Sequence, residues 1–155
     1  MRILVMSDTH GDMSLLRRVL MSQSSAEVVV HCGDGVDEAE EIRRMCPEKM
    51  VISVRGNCDF YCAEPKLEFI TLEGKKIFIT HGHLYGVKSG LYNLSCAAKE
   101  AGADIVLFGH THIPFEAYDD GLYMLNPGSL RGYDASYGYV DITPSGVVTN
   151  TVKVK

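Results

Sequence analysis

The chain has 155 residues, of which 46% are hydrophobic and 23% are charged, and its formal net charge is -5. This length fits a single domain over residues 1–155 that buries a core without disulfide or metal crosslinks. An acidic chain without clustered Lys and Arg argues against a nucleic-acid backbone as partner.

The N-terminus and the cysteines predict a cytoplasmic protein. The apolar run MRILVM at residues 1–6 is too short for the core of a signal peptide, and no stretch is long enough to span a membrane. Five cysteines without a secretory signal are typical of reduced thiols. We therefore expect no membrane partner, while a homo-oligomer stays open.

The first half of the chain alternates between predicted strands and helices. Ser14 is placed to cap a helix that continues through Leu20, and Asp37 to cap a second helix near residues 38–45. This order predicts parallel strands joined by helical crossovers. The three strands, all expected to be buried, fall at residues 2–6, 28–30 and 51–54.

The pattern changes after Pro65. Residues 67–72 and 76–80 predict a hairpin around the turn at Glu73-Gly74, and a helix is expected near residues 91–101. Short strands then alternate with turns. The class is therefore α/β, with a parallel first half and antiparallel C-terminal strands. The later strands are expected at residues 104–108, 115–119, 122–126, 137–142 and 147–154.

Short polar side chains follow five of the predicted strands, and all six histidines of the chain lie in these segments. Ligands of open α/β sheets bind at the carboxyl ends of the strands, so we expect these side chains to converge there. Such a cluster without a ligand would be costly, which favours metal binding. The segments are Ser7-Asp8-Thr9-His10, His31-Cys32-Gly33-Asp34, Gly56-Asn57-Cys58-Asp59, His81-Gly82-His83 and Gly109-His110-Thr111-His112.

In this order the motifs resemble those of the calcineurin-like metallophosphoesterases. The compact size and the stretch Asn126-Pro127-Gly128-Ser129 resemble the small bacterial and archaeal phosphodiesterase branch. The resemblance implies a two-sheet sandwich flanked by helices, the αββα fold, with two divalent metal ions at the strand ends. It implies that Asp34 bridges the ions, that Asp8, His10 and His112 bind one of them, and that Asn57, His81 and His110 bind the other.

The donor types indicate which metals to expect. Imidazole, carboxylate and amide ligands suit Mn²⁺, our first choice, or Zn²⁺, Fe²⁺, Co²⁺ or Ni²⁺, whereas Ca²⁺ and Mg²⁺ require more oxygen ligands. Two such ions lower the pKa of bound water to about 7 and stabilise charge on phosphoryl oxygens. The expected activity is hydrolysis of a small phosphoester, in the first place a phosphodiester, by a metal-bound hydroxide.

The third motif departs from the family pattern. Many members carry Gly-Asn-His-Asp or Gly-Asn-His-Glu, and their His protonates the leaving oxygen, whereas this chain has Cys58. A thiol is a poorer donor. Cys58 is otherwise interpreted as a small buried apolar residue. Asp59 is expected to orient a ligand or to cap a turn, and His83 to lie near the substrate or to hydrogen-bond a ligand. The candidate catalytic residues are Asp34, Asn57, Cys58, Asp59 and His83.

Three further residues receive structural interpretations. His31 is predicted to be packed or hydrogen-bonded, and Arg55 and Arg131 to form ion pairs.

Two other functions remain open at this point. One is a phosphomonoesterase or cyclic-nucleotide hydrolase. The other is a non-catalytic protein-binding scaffold on the same fold, as in the retromer subunit that resembles these enzymes. Every matched ligand position holds a competent residue, which favours the enzyme.

Overall fold

The computed structural model describes all residues, Met1–Lys155. Its three helices are α1 (Met13–Ser22), α2 (Val36–Met45) and α3 (Tyr92–Glu100), and a 3-10 turn covers His83–Tyr85. Its ten strands are β1 (Arg2–Met6), β2 (Val28–His31), β3 (Met50–Ser53), β4 (Leu67–Leu72), β5 (Lys75–Thr80), β6 (Ile105–Leu107), β7 (Pro114–Asp119), β8 (Leu122–Pro127), β9 (Ser136–Thr143) and β10 (Gly146–Lys153).

The first sheet has the order β10-β9-β1-β2-β3. As predicted, β1, β2 and β3 are parallel, and β9 and β10 join them antiparallel. Met6 pairs with His31, so β1 and β2 end at the same edge. The expected burial of the third strand, residues 51–54, is only partly met, because β3 lies at the edge of the sheet: Val51 and Ile52 are half-buried, whereas Ser53 and Val54 are buried.

The second sheet has the order β4-β5-β6-β8-β7. The predicted hairpin is present, and its turn residues Glu73 and Gly74 have φ of 48° and 73°. β8 pairs antiparallel with β7, as expected for the C-terminal strands, but it also pairs parallel with β6, which is itself parallel to β5. The cause is β7, which reverses the chain so that β8 runs beside β6 in the same direction.

Three apolar layers confirm the expected sandwich. The layer between the sheets is rich in β-branched residues such as Ile3, Val30 and Ile79. α1 and α2 cover the outer face of the first sheet through Leu16 and Ile42 among others. α3 covers the second sheet in a third cluster. Burying each large aliphatic side chain contributes about 1.5–3 kcal/mol, so these layers hold the two sheets in fixed relation.

Both predicted helix caps need correction. Asp12, not Ser14, caps α1, because its side chain accepts the N–H of Leu15 at 3.2 Å. α2 begins at Val36, which places Asp37 inside its first turn, and Gly35 at the N-cap has no side chain to accept a hydrogen bond. The N–H groups at this end are satisfied by Asp59, from a different part of the chain.

None of the helices combines the length and the apolar character needed to cross a membrane. All five cysteines are free thiols.

Candidate metal centre

The loops that follow the strands have strained backbones. Five of the seven predicted ligand residues lie in the left-handed region of φ, which costs most non-glycine residues about 1–3 kcal/mol, although Asp and His tolerate it better than others. Strain of this kind persists only where the surrounding structure enforces it, and it concentrates at functional sites. The φ values are 54° at Asp8, 44° at His10, 55° at Asp34, 68° at His110 and 61° at His112.

Two glycines are required because the ligand carboxylates approach their backbones closely. A Cβ on Gly56 would lie 2.1 Å from Asp34 Oδ1. A Cβ on Gly109 would lie 2.0 Å from Ser7 Oγ and 2.8 Å from Asp8 Oδ2. The motifs therefore need glycine in order to bring the loops within hydrogen-bond reach of the carboxylates.

The first group of donors consists of Asp8, His10 and His112, one ligand atom of each lying within 4.8 Å of the others. His112 Nε2 is 3.0 Å and His10 Nε2 is 3.8 Å from Asp8 Oδ1. Asp8 is fully buried, whereas half of the His112 side chain is exposed. This is the set that the resemblance implies for one metal.

The second group surrounds His81. Its Nε2 lies 3.0 Å from Asn57 Oδ1 and 3.2 Å from His110 Nδ1. Asp34 Oδ2 lies 3.4 Å from this nitrogen and 3.9 Å from His10 Nε2 in the first group. Asp34 therefore stands between the two groups, where a bridging ligand is expected.

Each carboxylate divides its oxygens between the fold and the site. Asp8 Oδ2 accepts from Ser7 Oγ at 2.6 Å and from the His110 N–H at 3.1 Å, while the buried Asp8 Oδ1 accepts no hydrogen bond. Asp34 Oδ1 accepts the Cys58 N–H at 2.8 Å, which leaves Asp34 Oδ2 facing the rings. An unpartnered buried carboxylate oxygen is costly unless a cation binds it.

The donor set fits a divalent cation. His81 Nδ1–H donates to the Cys32 carbonyl oxygen at 2.8 Å, so in the neutral ring the lone pair of Nε2 points into the cluster. Fixing one ring nitrogen in this way is the usual support of a metal-bound imidazole. Asn57 Oδ1, Asp34 Oδ2 and His110 Nδ1 all face this nitrogen, a cluster of potential ligand atoms that suits a metal ion.

In the absence of metal, the same surroundings favour a proton on His81. Burial opposes charge on His81, but the hydrogen bond to Asp34 and the charge of Asp8 raise its pKa above the ordinary value. Burial would raise the pKa of Asp34, but His81 and the Cys58 N–H outweigh it and lower that pKa well below the usual range. Burial and the neighbouring charges of His81 and Lys88 lower the pKa of His110 to about 4.

Asp59 organises the loops from behind the site. Its Oδ2 accepts the N–H groups of Asp34 at 2.7 Å and Gly56 at 2.8 Å. Its Oδ1 accepts those of Gly35 and Val36 at 3.0 and 3.2 Å. Asp59 thus holds the loop of the candidate ligand Asp34 and caps α2 at the same time.

Cys58 lies at the mouth of the site. The interpretation as a buried apolar residue is wrong, because Cys58 is exposed. Its Sγ groups with donor atoms of His10 and Asp34 within 4.8 Å. Partial desolvation and the charge of Asp34 raise the pKa of the Cys58 thiol, which favours its protonated form.

His83 stands beside the second group, with its ring centre 5.4 Å from that of His81 and 6.0 Å from that of His110. Its buried Nδ1 has no hydrogen-bond partner. Burial, the charge of His81 and the more distant charges of Lys66 and Arg55 lower the pKa of His83. The ring is therefore a neutral imidazole at neutral pH.

The predicted ion pairs of two arginines are absent. Neither Arg55 nor Arg131 has a carboxylate partner, although both were assigned structural pairs. The backbone N–H of Arg55 donates to Pro65 O. Its guanidinium lies near enough to contribute to the lowered pKa of His83, so its charge bears on the site.

A buried chain of hydrogen bonds holds the loop that carries His10. His31 Nδ1 accepts the Gly33 N–H, so in the neutral ring Nε2–H donates to Thr9 Oγ1 at 3.1 Å. His31 is thus buried and hydrogen-bonded, as predicted. Thr9 donates in turn to Glu38 Oε1 at 3.1 Å, and the Gly11 N–H donates to the same oxygen. Sequence reasoning missed Glu38, because a glutamate within a helix resembles any solvated charge.

The end of β8 and the residues directly after it support the last motif. Asn126 Nδ2 donates to Gly109 O and Thr111 Oγ1, both at 2.9 Å. Ser129 Oγ donates to Asp8 O at 2.7 Å. The Gly128 N–H also donates to Asn126 Oδ1 at 2.9 Å, a local turn bond, so this stretch is held both by its own turn and by the loops that carry Asp8 and His110.

The comparisons with known proteins agree on one family. Residues 1–145 match the family model of the calcineurin-like phosphoesterase superfamily domain. The chain is 37% identical to the probable metallophosphoesterase YsnB of Bacillus subtilis over 132 residues, covering 84% of this chain and 76% of that protein. It is 32% identical to the phosphodiesterase YfcE of Escherichia coli, covering 91% and 88%.

Solved structures share the fold over almost the whole chain. A novel archaeal phosphodiesterase superposes with a TM-score of 0.79 at 26% identity, covering 99% of this chain and 100% of that one. Vps29 of Entamoeba histolytica, solved in complex with Zn²⁺, superposes with a TM-score of 0.76, covering 99% of each chain. At 21% identity the second likeness concerns the fold alone.

Proposed function

The chain belongs to the calcineurin-like phosphoesterase superfamily, and from this premise we propose that it is a metal-dependent phosphodiesterase whose two ions are Mn²⁺. The substrate is a small phosphoester. The names of YfcE and of the archaeal structure support a phosphodiester as its class.

One observation carries the proposal. The buried Asp8 Oδ1 has no hydrogen-bond donor, and the nitrogens of His112 and His10 face it at 3.0 and 3.8 Å. A buried carboxylate oxygen without a hydrogen-bond donor is costly unless a cation binds it. Asp8, His10 and His112 would hold one ion, and Asn57, His81 and His110 the other, with Asp34 between them.

When bound, two divalent ions activate water and neutralise charge on the phosphoryl oxygens. The residues of the chain fix the positions of the ligand atoms. Backbone N–H groups hold one oxygen of each Asp, so that its other oxygen points into the site. His81 donates Nδ1–H to Cys32 O and keeps Nε2 free as a ligand atom.

The outer side of the site is open, since Asn57, Cys58 and His112 are exposed. A phosphodiester needs such access, because its phosphorus carries two ester groups. The thiol of Cys58, beside His10 and Asp34, and the neutral imidazole of His83, beside His81 and His110, are the candidate proton donors next to the two groups. Neither is a strong acid, so the chain favours substrates whose leaving groups need little protonation.

The experiment is hydrolysis of bis(p-nitrophenyl) phosphate and of p-nitrophenyl phosphate by chelated and reconstituted protein. We expect chelated protein to be inactive and Mn²⁺ to restore hydrolysis, with kcat/KM higher for the diester. Zn²⁺, Fe²⁺, Co²⁺ and Ni²⁺ tested in parallel identify the preferred ion. A higher value for the monoester would point to a phosphomonoesterase, and a cyclic nucleotide in the same screen tests the remaining enzyme alternative.

The likeness to Vps29 favours a second candidate, a protein-binding scaffold without catalysis. A complete donor set argues against it, because a scaffold has no need to retain all seven ligand positions. Metal-loaded protein that hydrolyses none of these esters would support the scaffold.

We also propose that the chain works in the cytoplasm. Its five free thiols support this, because they suit a reducing compartment.

A further inference from the structure

An apolar cavity of about 320 Å³ opens beside the metal centre. This is within the volume range of small-molecule sites, about 300–1,000 Å³. Five of its seven lining residues are hydrophobic, and Lys88 is the only charged one. The cavity is lined by Val87, Lys88, Leu91, Phe108, Thr111, Ile113 and Phe115.

The cavity wall is continuous with the segments that carry the ligands. Thr111 stands between His110 and His112, and Ile113 follows directly. Asn126 fixes Thr111 with a hydrogen bond of 2.9 Å. Val87 packs so closely on the residue after His81 that a Cβ at Gly82 would lie 2.9 Å from it. A molecule whose phosphoryl group lies among the histidines therefore has this wall beside it.

The residues that line the cavity indicate which kind of group binds there. Ile113 and Phe115 expose 67% and 37% of their surfaces, and the ring of the buried Phe108 lies 6.4 Å from that of Phe115. Apolar surface of this kind stabilises an apolar group that covers it. Lys88 adds one positive charge at the rim, which suits a ligand that is anionic at one end. A protein interface usually involves about 20–30 residues on each side, far more than seven.

We propose that this cavity is the subsite for an apolar, preferably aromatic, ester group of the substrate. The substrate class is then phosphodiesters with one aromatic or bulky apolar substituent. This inference rests on the proposed function, because it takes the phosphoryl group to lie at the metal centre.

The test compares two phosphonates that share an anionic head and differ in their apolar group. Isothermal titration of Mn²⁺-loaded protein with phenylphosphonate and with methylphosphonate measures binding without any catalysis. We expect phenylphosphonate to bind at least about tenfold more tightly, because its ring buries more apolar surface.

The double variant Ile113→Ser, Phe115→Ser removes the exposed part of the wall. In this variant the two phosphonates should bind with affinities within about twofold of each other, and the affinity for methylphosphonate should not change. Tyr118→Ser is the matched control, since Tyr118 is an exposed aromatic residue on β7 outside the cavity. It should keep the preference for the phenyl compound.

Three results overturn the inference in distinguishable ways. Equal affinities in the unmodified protein, or a phenyl preference that survives the double variant, reject the subsite and leave the proposed function intact. No binding of methylphosphonate by metal-loaded protein rejects the phosphate site itself, and the subsite falls with it.

Discussion

At the scale of single residues, the centre depends on carboxylates whose two oxygens have different tasks. Asp34 binds the backbone of Cys58 through Oδ1 and faces His81 and His10 through Oδ2. Its backbone has a φ of 55°, which the loop imposes. This arrangement makes Asp34 the residue that joins the two groups of donors.

We therefore predict that Asp34→Ala loses at least one metal ion per chain. Its metal affinity should fall by more than about 100-fold, because losing a ligand exceeds the roughly 10–100-fold cost of losing a group that only supports one. Metal analysis after dialysis, together with hydrolysis, measures the effect. Asp37→Ala, an exposed carboxylate three residues away, is the control and should keep full metal content. Full occupancy and activity in Asp34→Ala would refute the assignment.

Cys58 supports a prediction about leaving groups. General acid catalysis is typically worth about 10²–10⁴-fold, and a thiol supplies less of it than an imidazolium. The protein should therefore prefer esters with acidic leaving groups, and Cys58→His should improve basic leaving groups more than acidic ones.

The measurement is kcat/KM across a series of aryl and alkyl phosphodiesters for both proteins, with metal content checked in each. Cys62→His, which changes a neighbouring thiol, serves as the control. Parallel slopes at equal metal content would mean that Cys58 is not at the position of proton transfer, and His83 would be the next group to test.

At the scale of elements, the start of α2 depends on a residue outside the helix. Gly35 has no side chain to cap the helix, and Asp59 accepts the N–H groups of Gly35 and Val36 instead. The same carboxylate accepts the N–H groups of Asp34 and Gly56, so it couples the helix to two ligand loops. Stability and metal binding should therefore change together when it is removed.

We predict that Asp59→Ala lowers the free energy of unfolding by about 2 kcal/mol or more, since it removes a helix cap and leaves partly buried N–H groups unpaired. Asp59→Asn keeps one oxygen acceptor and should lose less. Urea unfolding of metal-free protein measures the change, with Asp37→Ala as a control expected to lose no more than about 1 kcal/mol. Equal stability of Asp59→Ala and the unmodified protein would show that water replaces the carboxylate at no cost.

At the scale of the whole molecule, the two sheets meet in a centre whose charge depends on pH. The raised pKa of His81 means that folded, metal-free protein binds a proton more tightly than unfolded protein does. The stabilisation that His81 gives the folded protein is complete below its pKa in the unfolded chain, about 6.5. It is lost as the pH rises through its pKa in the folded protein. The pKa values of His31, His83 and His110 are lowered, so the unfolded chain binds these protons more tightly than the folded protein does. Their effect is therefore a loss of stability as the pH falls below about 6.5.

We therefore predict that metal-free protein is most stable near pH ~6.5 and loses stability from there to pH ~8, by at most about 1.4 kcal/mol per pH unit. Urea unfolding in chelator over this range measures the slope. His81→Gln should remove the alkaline decline. Saturating Mn²⁺ should also remove it, because the metal needs the deprotonated ring and binds more tightly as the pH rises. A flat profile in chelated protein would contradict the raised pKa of His81.

Local patterns in the chain were enough to predict the strands, the α/β class and the ligand types. β-branched runs such as Val28-Val29-Val30 predict strands, because their side chains pack well on a pleated surface. Asp and His beside Gly at strand ends predict a metal site, because parallel strands end at a common edge. The αββα architecture and the grouping of the ligands came from the family resemblance of these motifs in their order.

Long-range contacts decided the rest, because they join residues that no local pattern connects. The cap of α2 comes from Asp59, more than twenty residues after Gly35. β8 lies parallel to β6 because β7 intervenes, which periodicity along β8 does not reveal. The cavity beside the centre combines Val87, Phe108 and Ile113 from three segments. In the sequence, each of these segments is an ordinary apolar stretch. Only their packing in the folded chain forms a concave surface beside the candidate metal centre.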